Sequence, residues 1–331
     1  MPLLLLLAAL LLALPGKTVT LDWILVDEAG NPAEVASNCL GAAADCGSVP
    51  QLYHIARTEL TNAQYAEFLN AVAKADPNGL YNPAMGSDAR GGITRSGGGG
   101  NYTYAVKSGR ENEPVVFVSF YDGLRFANWL QSGQPTGAQG PGTTEDGAYA
   151  LTPGGVAPNS IVRSGGAQFF LPTENEWYKA AYYDPALDLY YDTPTGTDLA
   201  PESDPPPGGP NSANIWEGTY ALTGSAILED GFDYLTDVGA YSTAASPFGT
   251  FDQAGNAWEW NETIDGVYRG IRGGGWNDGP TLPSASIALS DDPTLEQYDV
   301  GLRLATVPEP GQILLVAAGA LTLAASGRRR A

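Results

Sequence analysis

The chain has 331 residues, with Gly 42, Pro 25, 43% hydrophobic and 10% aromatic residues. Such a composition buries a core, but its glycine and proline content points to a loop-rich globule with few long elements. Sixteen basic residues against 37 acidic ones leave a net charge of -21, which repels phosphate backbones and argues against nucleic acid as a partner, while acidic loops can collect hard cations through oxygen ligands.

An apolar segment stands at each end of the chain, and about 290 residues remain between them, enough for one large domain or two small ones. The run Met1 to Leu14, followed by Pro15, Gly16 and Lys17, is short for a membrane span and fits the apolar region of a signal peptide, assigned here to residues 1–18. Residues 19–52 form a lead-in segment. It holds both cysteines, Cys39 and Cys46, which read either as a disulfide between neighbours in an exported protein or as two idle thiols. The single histidine, His54, is too few for a two-histidine iron site or a three-histidine zinc site.

From Tyr53 the pattern becomes periodic. Tyr65, Phe68, Leu69 and Val72 recur at helical spacing after Thr61 and Asn62, which can cap a first turn, and Asp76-Pro77-Asn78-Gly79 closes that helix. The stretch around Gly97 to Gly100 reads as a long surface loop, with no Lys-Ser or Lys-Thr pair to make it a phosphate cradle. Pro114 to Val118 is expected as a short buried strand, after which Ser119 opens a helix carrying Leu124, Ala127 and Leu130. A second loop covers about Gly133 to Gly166. Thr173 and Glu176 then stand as a capping box for a short helix through Ala181, with Trp177 expected in the core. The remainder is turn-rich, with irregular strands late, and the whole reads as an α+β domain.

The last segment runs Val307-Pro308-Glu309-Pro310-Gly311, then apolar Ile313 to Ala325, then Arg328, Arg329 and Arg330. Prolines stop the preceding element, the apolar run is long enough to enter a membrane, and the arginines hold its end in the cytoplasm. This arrangement over 306–331 resembles the PEP-CTERM sorting signal. The resemblance implies transient membrane association, cleavage by an exosortase, and an inner-membrane-tethered precursor. The mature protein would then reach the periplasm, cell surface or extracellular matrix of a Gram-negative bacterium.

Residues 53–305 resemble the formylglycine-generating, sulfatase-modifying enzyme family. The ordered segments that carry the likeness are Glu59 to Tyr65, Pro114 to Ser119, Leu171 to Trp177, Gly249 to Asp252, Gly255 to Trp260, Arg272 to Trp276, and Gly301-Leu302-Arg303. The resemblance implies a loop-rich variant of the C-type lectin fold with two calcium sites. One would take side-chain oxygens of Asn214 and Asp230 with the carbonyls of Ile215 and Phe232. The other would take the carboxylates of Asp252 and Glu259 with the carbonyls of Gly255 and Ala257. Roughly 6–8 hard oxygens at flexible geometry suit calcium, and glycine lets a carbonyl turn inward. Glu262, close by, is expected to be exposed.

Family members bind copper through a cysteine after a Gly-Gly-Ser-aromatic stretch and a second cysteine a few residues on. Here the stretch reads Gly273-Gly274-Gly275-Trp276-Asn277-Asp278, with Asp278 at the first cysteine's place and no cysteine after it. Copper(I) selects thiolates, so no copper is expected. The resulting expectation is an exported, calcium-braced, catalytically silent binding protein of the cell envelope or exopolysaccharide matrix, whose ligand is a polysaccharide or an envelope protein. The alternatives are an enzyme using Asp278, Asp291 or Asp292, and a structural surface protein without a specific ligand.

Overall fold

A computed structural model of the chain describes residues 18–35, 39–41 and 45–308. The apolar N-terminal run lies outside the described residues, and of the sorting-signal segment only residues 306–308 lie within them.

The lead-in segment is part of the fold. Its strand β1 (Trp23–Val26) pairs antiparallel with β2 (Tyr53–Ala56), Trp23 facing Ala56 and Val26 facing Tyr53. Cys39 and Cys46 are joined as a disulfide with their Cα atoms 5.5 Å apart, which decides between the two readings of the pair.

Helix α1 (Asn62–Val72) starts as the sequence suggests. The Thr61 hydroxyl accepts from the Gln64 amide, and the Gln64 side chain accepts from the Thr61 amide, a reciprocal capping box. Tyr65, Phe68, Leu69 and Val72 are buried on its inner face. The short helix α2 (Ala84–Ser87) follows. The Gly-rich stretch is then not a long loop but the tip of a hairpin between β3 (Ile93–Ser96) and β4 (Thr103–Val106). Glycine suits that tip, since Gly97 and Gly100 have φ of 90° and 88°.

Pro114 to Val118 is buried as expected but forms no strand. Among the described residues its ladder contact is a single bridge from Pro114 to Thr61, Phe117 sits at φ 62°, and the Phe117 amide donates to the Gln297 carbonyl at 2.8 Å. The apolar run is held by loops instead of by a neighbouring strand. Ser119 caps α3 (Phe120–Gln131) with Asp122 as its reciprocal partner. The Phe126 and Trp129 rings of α3 lie 5.2 and 5.3 Å from that of Phe68 on α1. Each such large side chain removed from water contributes about 1.5–3 kcal/mol.

After the one-turn helix α4 (Pro153–Val156) and β5 (Phe169–Phe170), Thr173 and Glu176 box the start of α5 (Glu174–Tyr182). A small hairpin joins β6 (Tyr183–Asp184) to β7 (Leu189–Tyr190). Turns and isolated bridges carry the chain from there to β8 (Trp258–Asp265), the longest strand, followed by β9 (Tyr268–Arg272), β10 (Leu289–Asp291), β11 (Val300–Leu302) and β12 (Ala305–Thr306). One sheet has the order β1-β2-β12-β5 and the other β10-β9-β8-β11. Within the second, β11 runs parallel to β8, with Gly301 beside Glu259. This pairing brings Arg303, just past β11, to the buried side chain of Glu259.

Candidate functional site

A buried polar network ties together the two loops in which calcium ligands are expected. The Asn256 amide donates to the Asn214 carbonyl at 2.8 Å. The Asn214 side-chain nitrogen donates to the Asn256 Oδ1 at 3.0 Å and to the Tyr234 carbonyl at 2.8 Å. Asn256 in turn donates to Glu59 Oε1 at 3.0 Å. Gly255 is obligatory here: its φ is 83°, and a Cβ would lie 2.3 Å from the Asn214 carbonyl oxygen.

Beyond Asn256, Glu59, Asp252 and Glu259 are all buried close to one guanidinium, Arg303. Arg303 Nε and Nη2 donate to Glu259 Oε2 and Oε1 at 2.7 and 2.6 Å, and the Trp177 indole donates to Glu259 Oε2 at 2.7 Å. Asp252, at φ 62°, accepts from the Gly239 amide at 2.5 Å. Glu59 Oε2 is buried and has no donor. Burial first, and then the facing Asp252 carboxylate, push the Glu59 carboxyl well above the usual range. Burial also raises Asp252.

Two carboxyls facing each other in a buried place need a shared proton or a cation between them. The orphaned Glu59 oxygen with Asp252 beside it leaves room for either a shared proton or a cation, but among the described residues no group of three or more acids, histidines or cysteines is arranged to hold a metal. Of the expected set Asp252, Gly255, Ala257 and Glu259, the Glu259 carboxylate has both oxygens engaged by Arg303 and one by Trp177 as well, so a cation held there would lean on Asp252 and Glu59. The chemistry supplied would be structural, tying the loop to the end of β11. Glu59 is the member of this buried network that sequence reasoning missed.

The other expected set fits a cation less well. Asn214 and Ile215 are buried, but the Ile215 carbonyl already accepts from the Ser203 hydroxyl at 2.7 Å. Phe232 is half-buried, and Asp230, the set's carboxylate, is exposed on its turn.

The Gly273 stretch docks against the same network. The Gly255 amide donates to the Gly273 carbonyl at 2.9 Å, and the Trp276 amide to the Asn256 carbonyl at 3.0 Å. Asp278, at the place of the first copper-binding cysteine, is fastened down: its Oδ2 accepts from the Trp258 indole at 2.6 Å and the Gly275 amide at 2.9 Å. The acid that faces it is Asp299, raised to about 6 by burial and then by Asp278. Asp291 and Asp292 serve local turns: Asp291 accepts from Gln297 at 2.9 Å, and exposed Asp292 accepts from the Thr294 amide and hydroxyl at 2.9 and 2.7 Å. His54 lies on β2, opposite Leu25 and Thr306.

Trp177 is fully buried, as expected. Glu262 corrects an expectation: it is not exposed, because its carboxylate pairs with Arg163 at 2.7 Å and accepts from the Tyr149 hydroxyl at 2.6 Å. A polar residue on the outer half of β8 gave no hint of an arginine arriving from a distant loop.

One antiparallel and one mixed four-stranded sheet, three boxed helices and long braced loops define an α+β domain of the formylglycine-generating-enzyme type. The model of the sulfatase-modifying factor enzyme 1-like domain matches residues 26–307, and the chain belongs to that family. The chain is 24% identical over 279 residues to the hercynine oxygenase of Mycobacterium tuberculosis, covering 76% of this chain and 52% of that protein. It is 26% identical over 298 residues to the formylglycine-generating enzyme of Streptomyces coelicolor, covering 78% and 74%. The chain thus spans about half the length of the mycobacterial relative. Among solved structures, that of CarF shares the fold, with a TM-score of 0.57 and 21% identity over 88% of this chain and 100% of that one.

Proposed function

We propose that this chain is an exported, calcium-braced member of the family that binds a ligand of the cell envelope or exopolysaccharide matrix and has no formylglycine-generating activity. The observation that carries this reading is Asp278. Where the family resemblance places a copper thiolate, this chain has a carboxylate whose one oxygen is engaged by the Trp258 indole and the Gly275 amide. A hard carboxylate in that position is a poor ligand for copper(I), which selects thiolates. The chain's two cysteines are bonded to each other in the lead-in segment, and its one histidine cannot supply a multi-histidine iron site.

What supports the calcium brace is the orphaned Glu59 oxygen beside Asp252. Export, exosortase processing of the tail and a Gram-negative envelope location rest on the sequence of the two ends. Copper, oxygen and a peptide carrying a sulfatase cysteine test the chemical half of the proposal. Mass spectrometry should find no aldehyde above a control without protein, and a time-dependent aldehyde product would overturn it.

A further inference from the structure

The hairpin between β3 and β4 carries a motif that the calcium brace and the Gly273 stretch do not involve. Asn101-Tyr102-Thr103 is an Asn-x-Thr triplet, the acceptor pattern for N-linked glycosylation on surface loops of exported chains. The sequence holds one other triplet of this kind, Asn261-Glu262-Thr263, and the fold treats the two in opposite ways.

Asn261 is closed to any enzyme. It has no exposed surface, its side-chain nitrogen donates to Glu174 Oε2 at 3.0 Å, and its Oδ1 accepts from the Thr263 amide at 3.0 Å. The Thr263 hydroxyl accepts from the Glu174 amide at 2.9 Å. Asn101 and Thr103, by contrast, are both exposed. Among the described residues, neither the Asn101 carboxamide nor the Thr103 hydroxyl has a hydrogen-bond partner.

The backbone presents the triplet outward. The Asn101 amide closes a turn on the Gly98 carbonyl at 2.9 Å. A Cβ placed on Gly98 or on Gly100 would meet no atom within 4 Å, so the chain leading into Asn101 borders open space. Thr103 pairs with Ser96 in the rung of the ladder nearest the tip. An enzyme can therefore draw the triplet into an extended form by opening one terminal rung, the part of a hairpin that opens most cheaply. The next residue stays anchored: the Tyr104 carbonyl accepts from the Asn70 side chain at 2.8 Å, and the Tyr104 amide donates back to it at 3.0 Å.

We propose that Asn101 is an N-glycosylation acceptor that takes a saccharide from a glycosyl diphosphate. The Asn101 Nδ2 attacks the anomeric carbon and forms the N–C bond. The C–O bond to the diphosphate breaks, and its electron pair leaves on the phosphate oxygen. One amide proton passes to a base of the transferase, and no oxidant or reductant enters. The rest of the donor is a nucleoside or a polyprenyl lipid; the first hands on a single sugar and the second a preassembled oligosaccharide. The inference rests on the export reading above and adds a modification to it.

The experiment recovers the chain from the cells that make it, after fractionation, and reads it by intact mass and peptide mapping. The peptide holding Asn101 should carry the increment of one sugar or of an oligosaccharide, which identifies the donor, and the peptide holding Asn261 should carry none. Asn101→Gln and Thr103→Val should each lose the increment completely, and Thr103→Ser should keep it. All three variants should melt with the wild type, because both side chains are exposed. An exported chain with a bare Asn101, or an increment that survives Asn101→Gln, would overturn the assignment and leave the export reading standing. A bare Asn101 on a chain confined to the cytoplasm would overturn both.

Discussion

Arg303 and Glu259 form an ion pair in which neither side chain has any exposed surface. The pair joins the end of β11 to β8, and Arg303 also donates to the carbonyls of Ala56 and Phe251 at 2.9 and 2.7 Å. One guanidinium therefore gathers β2, the Asp252 loop and the central sheet. Breaking a buried pair by removing one partner leaves the other charge uncompensated and costs about 3–5 kcal/mol. Arg303→Met should lower the unfolding free energy by that amount in urea titration. The Arg303→Met, Glu259→Gln double variant should lose less than the sum of the singles, because the two residues share one interaction. Additive losses would mean that the pair is not coupled.

A second prediction concerns pH. Glu113 is buried with its Oε2 lacking a donor, near Asp233, which pairs with Arg110 at 2.7 Å. Burial first, and then Asp233, raise Glu113 from 4.5 to about 8. The folded chain thus keeps a proton between those values that the unfolded chain has released. Linkage then makes this contribution full at acid pH and progressively lost as the pH climbs toward the folded value. Glu296 and Asp122, raised to about 7 and about 6 mainly by burial, act in the same direction. The melting temperature should fall as pH rises from about 5 to about 8.5, and Glu113→Gln should flatten the fall. General repulsion in an acidic chain also grows with pH, so the difference between variant and wild type is the informative quantity. Parallel curves for the two proteins would contradict the role of Glu113.

The parts of the fold legible in the sequence are those decided locally. Thr61 with Gln64, and Thr173 with Glu176, are capping boxes whose partners stand three residues apart, and each marks a real helix start. Ser119 opens its helix in the same way with Asp122. What was not legible depends on distant chain. Pro114 to Val118 looks like a strand because it is apolar, but β8 is flanked by β9 and β11, and the run is left to loop contacts. Trp23 to Val26 forms an edge strand only because β2 lies beside it. At the site, Asp252 and Glu259 were visible as a spaced pair. Their actual neighbours, Glu59 and Arg303, come from 193 residues before Asp252 and from 44 residues after Glu259, and no local pattern announces them.

A third prediction lies in the tail. If the segment around Pro308, Glu309 and Pro310 is a sorting signal, Glu309→Ala or Pro310→Ala should leave an uncut precursor at the inner membrane. Fractionation and intact-mass measurement read this directly. Release of normally sized protein from either variant would show that the tail acts only as an anchor.

The central claim is that the scaffold depends on a calcium brace and not on copper, and one set of melting curves tests it. Any ion that binds only the folded state stabilises it by RT ln(1 + [L]/Kd), about 2.7 kcal/mol at a hundredfold excess over Kd. The purified chain is stripped with chelator and then melted alone, with calcium, and with copper(I). Calcium should raise the midpoint, Glu59→Gln and Asp252→Asn should blunt that rise, and copper(I) should leave the curve where the chelator put it. A midpoint unmoved by calcium, or one raised by copper(I), would contradict the account.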